Sequence, residues 1–218
     1  MANSDVWKDI SSYIKVFTSV NFDEVPNSPG IYAWFYPMNP PTDDIGDLEV
    51  ELTSILNYDS KLKGEKKNKG KVKFNWKDLE VEVSEKSKKE FPSPAKDEWD
   101  KLTKDPDAFR NLQKIMLVAS ILMPPLYIGK TNDLRVRCRQ HRSSSKQEEN
   151  NFHNRFENFT RNKKLNNGKE FLTTKVEDLI FVCIKTDTIG NLGGDESSTE
   201  VLLEEIFKLI ATPPYGKH

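Results

Sequence analysis

At 218 residues the chain is long enough for one well-buried domain with a sizeable elaboration and too short for two independent enzymes. Charged residues make up 31% of it, yet the net charge is only −1, so there is no global electrostatic attraction to nucleic acid and any such case must be local. Cys138 and Cys183 stand far apart in no metal-ligand spacing, the start Met-Ala-Asn-Ser-Asp has no signal-peptide pattern, and the longest apolar run, Met116 to Met123, is too short to span a bilayer. These features argue against a disulfide scaffold, a zinc site and a membrane partner, and lead us to expect a soluble protein of a reducing, cytoplasmic compartment.

Ser4 or Asp5 is placed to cap a first helix whose apolar face repeats through Val6, Ile10, Ile14 and Phe17. Pro26-Asn27-Ser28-Pro29-Gly30 then turns the chain into Ile31–Tyr36, an aromatic and β-branched strand that Pro37 stops. Trp34, Phe35 and Tyr36 read as core and edge-strand residues rather than as base-stacking groups. Beyond Pro37 the composition changes, first Pro-rich, then acidic from Asp43 to Glu51, then basic from Lys61 to Lys73. Residues 37–123 read as an insertion that separates two parts of one domain, 1–36 and 124–218. Inside it Val72, Phe74 and Trp76, then Leu79, Val81 and Val83, alternate with polar residues and predict a β-hairpin turning at Lys77-Asp78. Pro106 marks the start of a helix, with Phe109, Leu112, Ile115, Met116 and Ala119 as its buried face.

Pro124-Pro125 ends that helix, and Leu126-Tyr127-Ile128-Gly129 predicts a second strand. Asn132 or Asp133 can cap the next helix, which carries Leu134, Arg137, Cys138 and His141. Phe152, Phe156 and Phe159 mark a further amphipathic helix, and Leu179–Ile184 has the length and β-branching of a central strand. After a glycine-rich loop at Gly190–Gly194, Ser197-Ser198-Thr199-Glu200 has the form of a capping box, opening a helix through Leu203, Phe207 and Ile210 that Pro213-Pro214 stops. The expected order is helix, strand, insertion, strand, helix, helix, strand, helix, with no internal repeat.

One stretch is locally cationic. Lys130, Arg135, Arg137, Arg139, His141 and Arg142 fall within thirteen residues, with Asp133 the only acid among them. Arg137 and His141 are four apart, so on a helix they project from one face, one turn above the other. A guanidinium matches phosphate oxygens with two parallel bonds, and an imidazole beside it can move a proton or hold a water. A solvated basic helix face accounts equally well for this stretch taken alone.

Gly30-Ile31-Tyr32, then Tyr127-Ile128-Gly129, then Arg137 and His141 behind that glycine, and a glutamate on a late helix ahead of Pro213-Pro214-Tyr215 together resemble the GIY-YIG nuclease family. The match spans about residues 29–36 and 124–216. The resemblance implies an α+β fold with a small three-stranded antiparallel sheet flanked by helices, and hydrolysis of phosphodiester bonds in DNA, expected to be double-stranded. It also implies one divalent metal ion, Mg2+ or Mn2+, held by the late glutamate. By the same resemblance Tyr32 or Tyr127 activates the attacking water, its phenol pKa lowered from about 10 by the surrounding cations. Arg137 holds the scissile phosphate, His141 assists proton transfer or orients the tyrosine, and Lys130, with Arg135, Arg139 and Arg142, adds nucleic-acid contacts.

Two residues compete for the metal. Glu204 stands in the family's register ahead of the prolines, whereas Glu200 falls nearer the apolar stripe of Leu203, Phe207 and Ile210 and otherwise completes the capping box. Gly216 occupies a position where the family usually has asparagine. His153-Asn154 is half of an HNH nuclease pattern whose second histidine is missing. The lysines from Lys61 to Lys73 are a solvated loop or, in a DNA enzyme, a backbone-contacting arm.

These observations suit a stand-alone endonuclease of restriction or phage-defence type, with the insertion supplying target recognition. A possible homodimer, or sequential nicking, would let one site per chain cut both strands. Two other readings use the same residues: a nucleic-acid-binding module that keeps the fold without cutting, and a nuclease subunit that depends on a partner.

Overall fold

The computed structural model describes residues 10–39, 44–48, 68–74, 77–83, 93–143, 152–162, 175–187, 196–211 and 213. A helical turn at Ile10–Tyr13 leads into β1 (Ile14–Phe17), and β2 (Gly30–Phe35) follows after a one-turn 3-10 helix at Phe22–Glu24. The hairpin β3 (Asn68–Phe74) and β4 (Lys77–Val83) comes next, then α1 (Ser93–Leu102) and α2 (Pro106–Ala119). The chain continues through β5 (Tyr127–Thr131), α3 (Leu134–Arg142), α4 (Phe152–Asn162), β6 (Ile180–Lys185) and α5 (Glu196–Ala211).

The fold is α+β, built on an antiparallel sheet in the order β1-β6-β2-β5. It has four strands where three are expected, because Ile14–Phe17 is a strand and not the end of the first helix. Its apolar spacing suits a helix, but Ile14, Lys15, Val16 and Phe17 pair with Ile184, Cys183, Val182 and Phe181, and the edge of β6 decides the conformation. Val6 lies outside the described residues. As a result β6 is central, and β2 is an interior strand with β6 on one side and β5 on the other.

Strand register sets which residues share a face. Tyr32 stands opposite Gly129 and Cys183, and Trp34 opposite Tyr127 and Phe181. One face of the sheet therefore carries Tyr32, Trp34, Tyr127, Phe181 and Cys183 together. Leu134 and Cys138 of α3 and Phe152 and Phe156 of α4 close over it, forming the main core with Phe22, Val25, Leu126, Val176 and Leu179. Both cysteines are free and buried in that core, where burial pushes Cys138 up to about 11 and Cys183 up to about 12.

Both strand glycines of the motif are required by close packing. A Cβ at Gly30 would run into the Ile184 carbonyl and the Leu134 side chain. At Gly129 it would come within 2.5 Å of the Tyr32 hydroxyl oxygen and 2.7 Å of its Cζ, so the Tyr32 ring lies across β5 only because residue 129 has no side chain.

The insertion leaves and rejoins the sheet at neighbouring points. Leu126 N donates to the Trp34 carbonyl at 2.7 Å, and Met38 N donates to Ser120 Oγ at 2.7 Å. A long segment thus replaces what could have been a short β2–β5 turn, and because closure entropy grows slowly with loop length the sheet tolerates it. In its hairpin Phe74 pairs with Lys77, so Lys77 and Asp78 already belong to β4 instead of forming the expected turn. Trp76 and Lys61–Lys67 lie outside the described residues.

α2 starts at Pro106, as the sequence predicts, and Asp105 caps it by accepting from Asp107 N at 2.9 Å and Ala108 N at 3.2 Å. The expected buried face of α2 is corrected. Phe109, Leu112, Met116 and Ala119 are only half-buried and Ile115 is 66% exposed. On α5, Leu203 and Phe207 are half-buried, while Ile210 points to solvent. That helix starts at Glu196, ahead of the expected capping box; the side chains of Ser197–Glu200, the loop at 190–194 and Gly216 lie outside the described residues. No described helix is long and apolar enough to cross a membrane.

Substituting Gly129→Ala forces the Tyr32 ring off β5. We expect a loss of about 1–3 kcal/mol in urea unfolding, the usual cost of overpacking, whereas Gly46→Ala, exposed in the short helix at 45–48, should cost no stability beyond about 0.5 kcal/mol.

Candidate active site

The site is assembled by the loop before β2 and by α3. Leu134 N donates to the Ser28 carbonyl at 3.0 Å and Arg135 N to the Pro26 carbonyl at 3.1 Å, so the loop satisfies helix N–H groups that have no partner within the helix. Asp133, rather than Asn132, is the cap and accepts from Val136 N at 2.9 Å. Arg135 Nε donates to the Val25 carbonyl at 2.6 Å. Held this way, α3 turns Leu134, Cys138 and His141 inward, with Arg137 half-buried beside them.

Four side chains meet. The Tyr32 hydroxyl lies 3.2 Å from His141 Nε2, and Arg137 Nε donates to the same oxygen at 3.2 Å. Trp34 Nε1 donates to His141 Nδ1 at 3.0 Å, and Arg137 Nη1 donates to Gln140 Oε1 at 3.1 Å. Tyr127 is half-buried and stacks on Tyr32, with ring centroids 6.0 Å apart, and its edge meets His141 at 5.2 Å. Tyr32, Arg137, His141 and Tyr127, far apart in the chain, are thus brought to one place.

The expected lowering of the tyrosine pKa is corrected. Burial, with Tyr127 alongside, pushes the Tyr32 phenol well above its ordinary value, outweighing the opposite pull of Arg137. Burial also pushes His141 down to about 3, helped by the charges of Arg137, Arg155 and His153.

The other cationic candidates scatter. Lys130 stands opposite Ile31 and so lies on the sheet face away from Tyr32. Arg135 is committed to the Val25 carbonyl, Arg142 sets its guanidinium 4.6 Å from the Phe22 ring centroid, and Arg139 is exposed. Glu204 is 14% exposed on α5, a helix that packs against β5 and β2, and its carboxylate pairs with Lys208 at 2.8 Å.

Two residues that sequence reasoning did not assign to the site belong to it. Trp34, read as core, is completely buried, yet its one polar atom faces His141. Arg155 on α4 lies 5.9 Å from the Tyr127 ring centroid, close enough for a cation–π contact. Its position, three residues beyond the buried Phe152, was the available signal. His153 links two helices. Its Nδ1 lies 3.0 Å from the His141 carbonyl and its Nε2 3.1 Å from Glu157, tying α4 to the end of α3.

Among the described residues no group of three or more His, Cys, Asp or Glu is placed to hold a metal ion. Comparison with protein-family models, with curated proteins and with solved structures finds no match to the chain.

His141 links folding to pH. Its folded pKa lies below the unfolded value of 6.5, so below pH 6.5 the unfolded chain takes up a proton that the folded chain refuses, and stability falls from there toward pH 3. Urea unfolding at pH 8 and pH 5 should show wild type losing about 2 kcal/mol more than His141→Gln does over that interval, which removes the titrating ring.

Proposed function

We propose that the chain is a metal-dependent endonuclease that hydrolyses DNA phosphodiester bonds, of the restriction or phage-defence type, with a GIY-YIG-like catalytic unit. The observation that supports this best is the convergence of Arg137 and His141 on the hydroxyl oxygen of Tyr32, the tyrosine of Gly30-Ile31-Tyr32. These residue types at that spacing suit phosphoryl chemistry, and here they share one oxygen.

Each residue then has a task. Tyr32, buried on the sheet, presents its oxygen to the attacking water. Its own proton passes to the Tyr127 hydroxyl, its hydrogen-bond partner, which releases one to solvent, and Tyr32 then takes the water's proton. Arg137 neutralises developing phenolate charge through Nε, and the rest of its fork stabilises the added negative charge on the phosphate. Tyr127 stacks on Tyr32 and fixes the ring, and Arg155 beside it is a second cation for the phosphate. The high resting pKa of Tyr32 means that a bound cation must assist its ionisation.

A single part-buried carboxylate on a helix against the two tyrosine strands fits a magnesium or manganese ion held largely through water and substrate oxygens. Glu204 is the residue that would hold it, displacing Lys208, and the ion would polarise the phosphate and stabilise the leaving oxygen. Double-stranded DNA is the proposed substrate, residues 37–123 its proposed recognition element, and a homodimer the proposed means of cutting both strands.

The Lys208–Glu204 pair favours one second reading, a nucleic-acid-binding module in which the metal carboxylate is permanently neutralised. Salt-sensitive DNA binding without cleavage in any divalent metal would establish it.

Plasmid nicking with magnesium or manganese tests the proposal on wild type, Arg137→Ala and Glu204→Ala. The expected result is cutting by wild type and a drop of at least about 10²-fold in each variant. Equal cutting by all three proteins would sink the site assignment.

A further inference from the structure

The hydrogen bond between Trp34 and His141 constrains the chemistry on the other side of the imidazole. We infer that Trp34 is a positioning residue that locks His141 in the tautomer with its hydrogen on Nε2, so that His141 donates to the Tyr32 oxygen and cannot take its proton.

The argument is one of donor and acceptor inventory. An indole N–H only donates, so His141 Nδ1, 3.0 Å away, must accept through its lone pair. That lone pair lies in the ring plane, and the two rings are within 13° of parallel with centroids 6.1 Å apart, as a side-by-side bond requires. A neutral imidazole has one ring hydrogen, which is then on Nε2, 3.2 Å from the Tyr32 oxygen. Ionising the ring would place an Nδ1–H against the Trp34 N–H with both groups buried.

The surroundings agree. Tyr32 and Trp34 on β2, Tyr127 on β5, Arg137 on the same helix, and Arg155 and His153 on α4 face the imidazole, and among the described residues no carboxylate shifts it. Burial and the neighbouring cations both keep it neutral.

The consequence lies at the phenol. Arg137 Nε also donates to Tyr32, so both lone pairs of the hydroxyl oxygen are engaged and its hydrogen is left for the Tyr127 hydroxyl, its third hydrogen-bond partner. A proton leaving Tyr32 therefore departs by a route other than His141. This last step deepens the nuclease reading and rests on it, whereas the tautomer does not.

Long-range 1H–15N correlation spectra of the His141 ring test the lock in the full-length chain, with Trp34→Phe as the variant and cleavage followed from pH 5 to 8. Wild type should show Nε2 protonated and Nδ1 bare throughout that range. In Trp34→Phe the Nδ1 partner is lost, so both neutral tautomers should appear, with cleavage reduced on the order of tenfold relative to wild type across that range. A wild-type ring protonated on Nδ1, or a variant ring held wholly in the Nε2 form, would overturn the inference. If Trp34→Phe fails to fold, the wild-type spectrum alone decides. A wild-type protein that shows the Nε2 tautomer but cuts no DNA supports the lock and removes the nuclease reading.

Discussion

The Tyr32 ring lies over the backbone of β5 at Gly129, and every contact with its oxygen depends on that clearance. A side chain at 129 would displace the ring, and with it the atom on which Arg137 and His141 converge. Two glycines do different work in the two tripeptides. Gly30 lets β2 pass close to β6 and under Leu134, and so sets the height of α3, whereas Gly129 leaves room for a tyrosine from the neighbouring strand. Strand pairing and site geometry are therefore one problem, because the register that puts Tyr32 opposite Gly129 also puts Trp34 opposite Tyr127.

Hydrogen-bond satisfaction keeps the rest in place. Tyr32, Trp34 and His141 are almost fully withdrawn from solvent, so each polar atom among them needs a partner. They find it in a chain that runs from indole to imidazole to phenol and ends at the half-exposed guanidinium of Arg137. Removing any member strands a buried donor or acceptor, at a cost of about 1–3 kcal/mol. Such a network is rigid, and it holds the Tyr32 oxygen at a fixed place beside Arg137.

Much of this was legible in the sequence for the part of the chain after Pro124. Helical spacing placed Arg137 and His141 on one face, Asp133 was a candidate cap, and the apolar run ending at Ile184 is the central strand. The failures have physical causes. Ile14–Phe17 carries helix spacing, and only the exposed edge of β6 makes it a strand. Arginines look alike in sequence, and it is tertiary neighbours, the Val25 carbonyl and the Phe22 ring, that withdraw Arg135 and Arg142 from the site. Lys130 is turned away by strand alternation, which one residue of register decides. Burial preference identified Trp34 as core but carries no information on where an indole N–H points. The cationic neighbours of Tyr32 were visible and its burial was not, and burial determines the direction of its pKa.

The central claim, that the hydroxyl oxygen of Tyr32 is the chemical centre of the molecule, is tested most directly by removing that atom and nothing else. Single-turnover DNA cleavage by Tyr32→Phe, alongside a thermal melt confirming that the ring still packs, should fall by about 10³-fold or more if the oxygen handles the proton of the attacking water. A folded Tyr32→Phe protein that cuts at the wild-type rate would contradict the account.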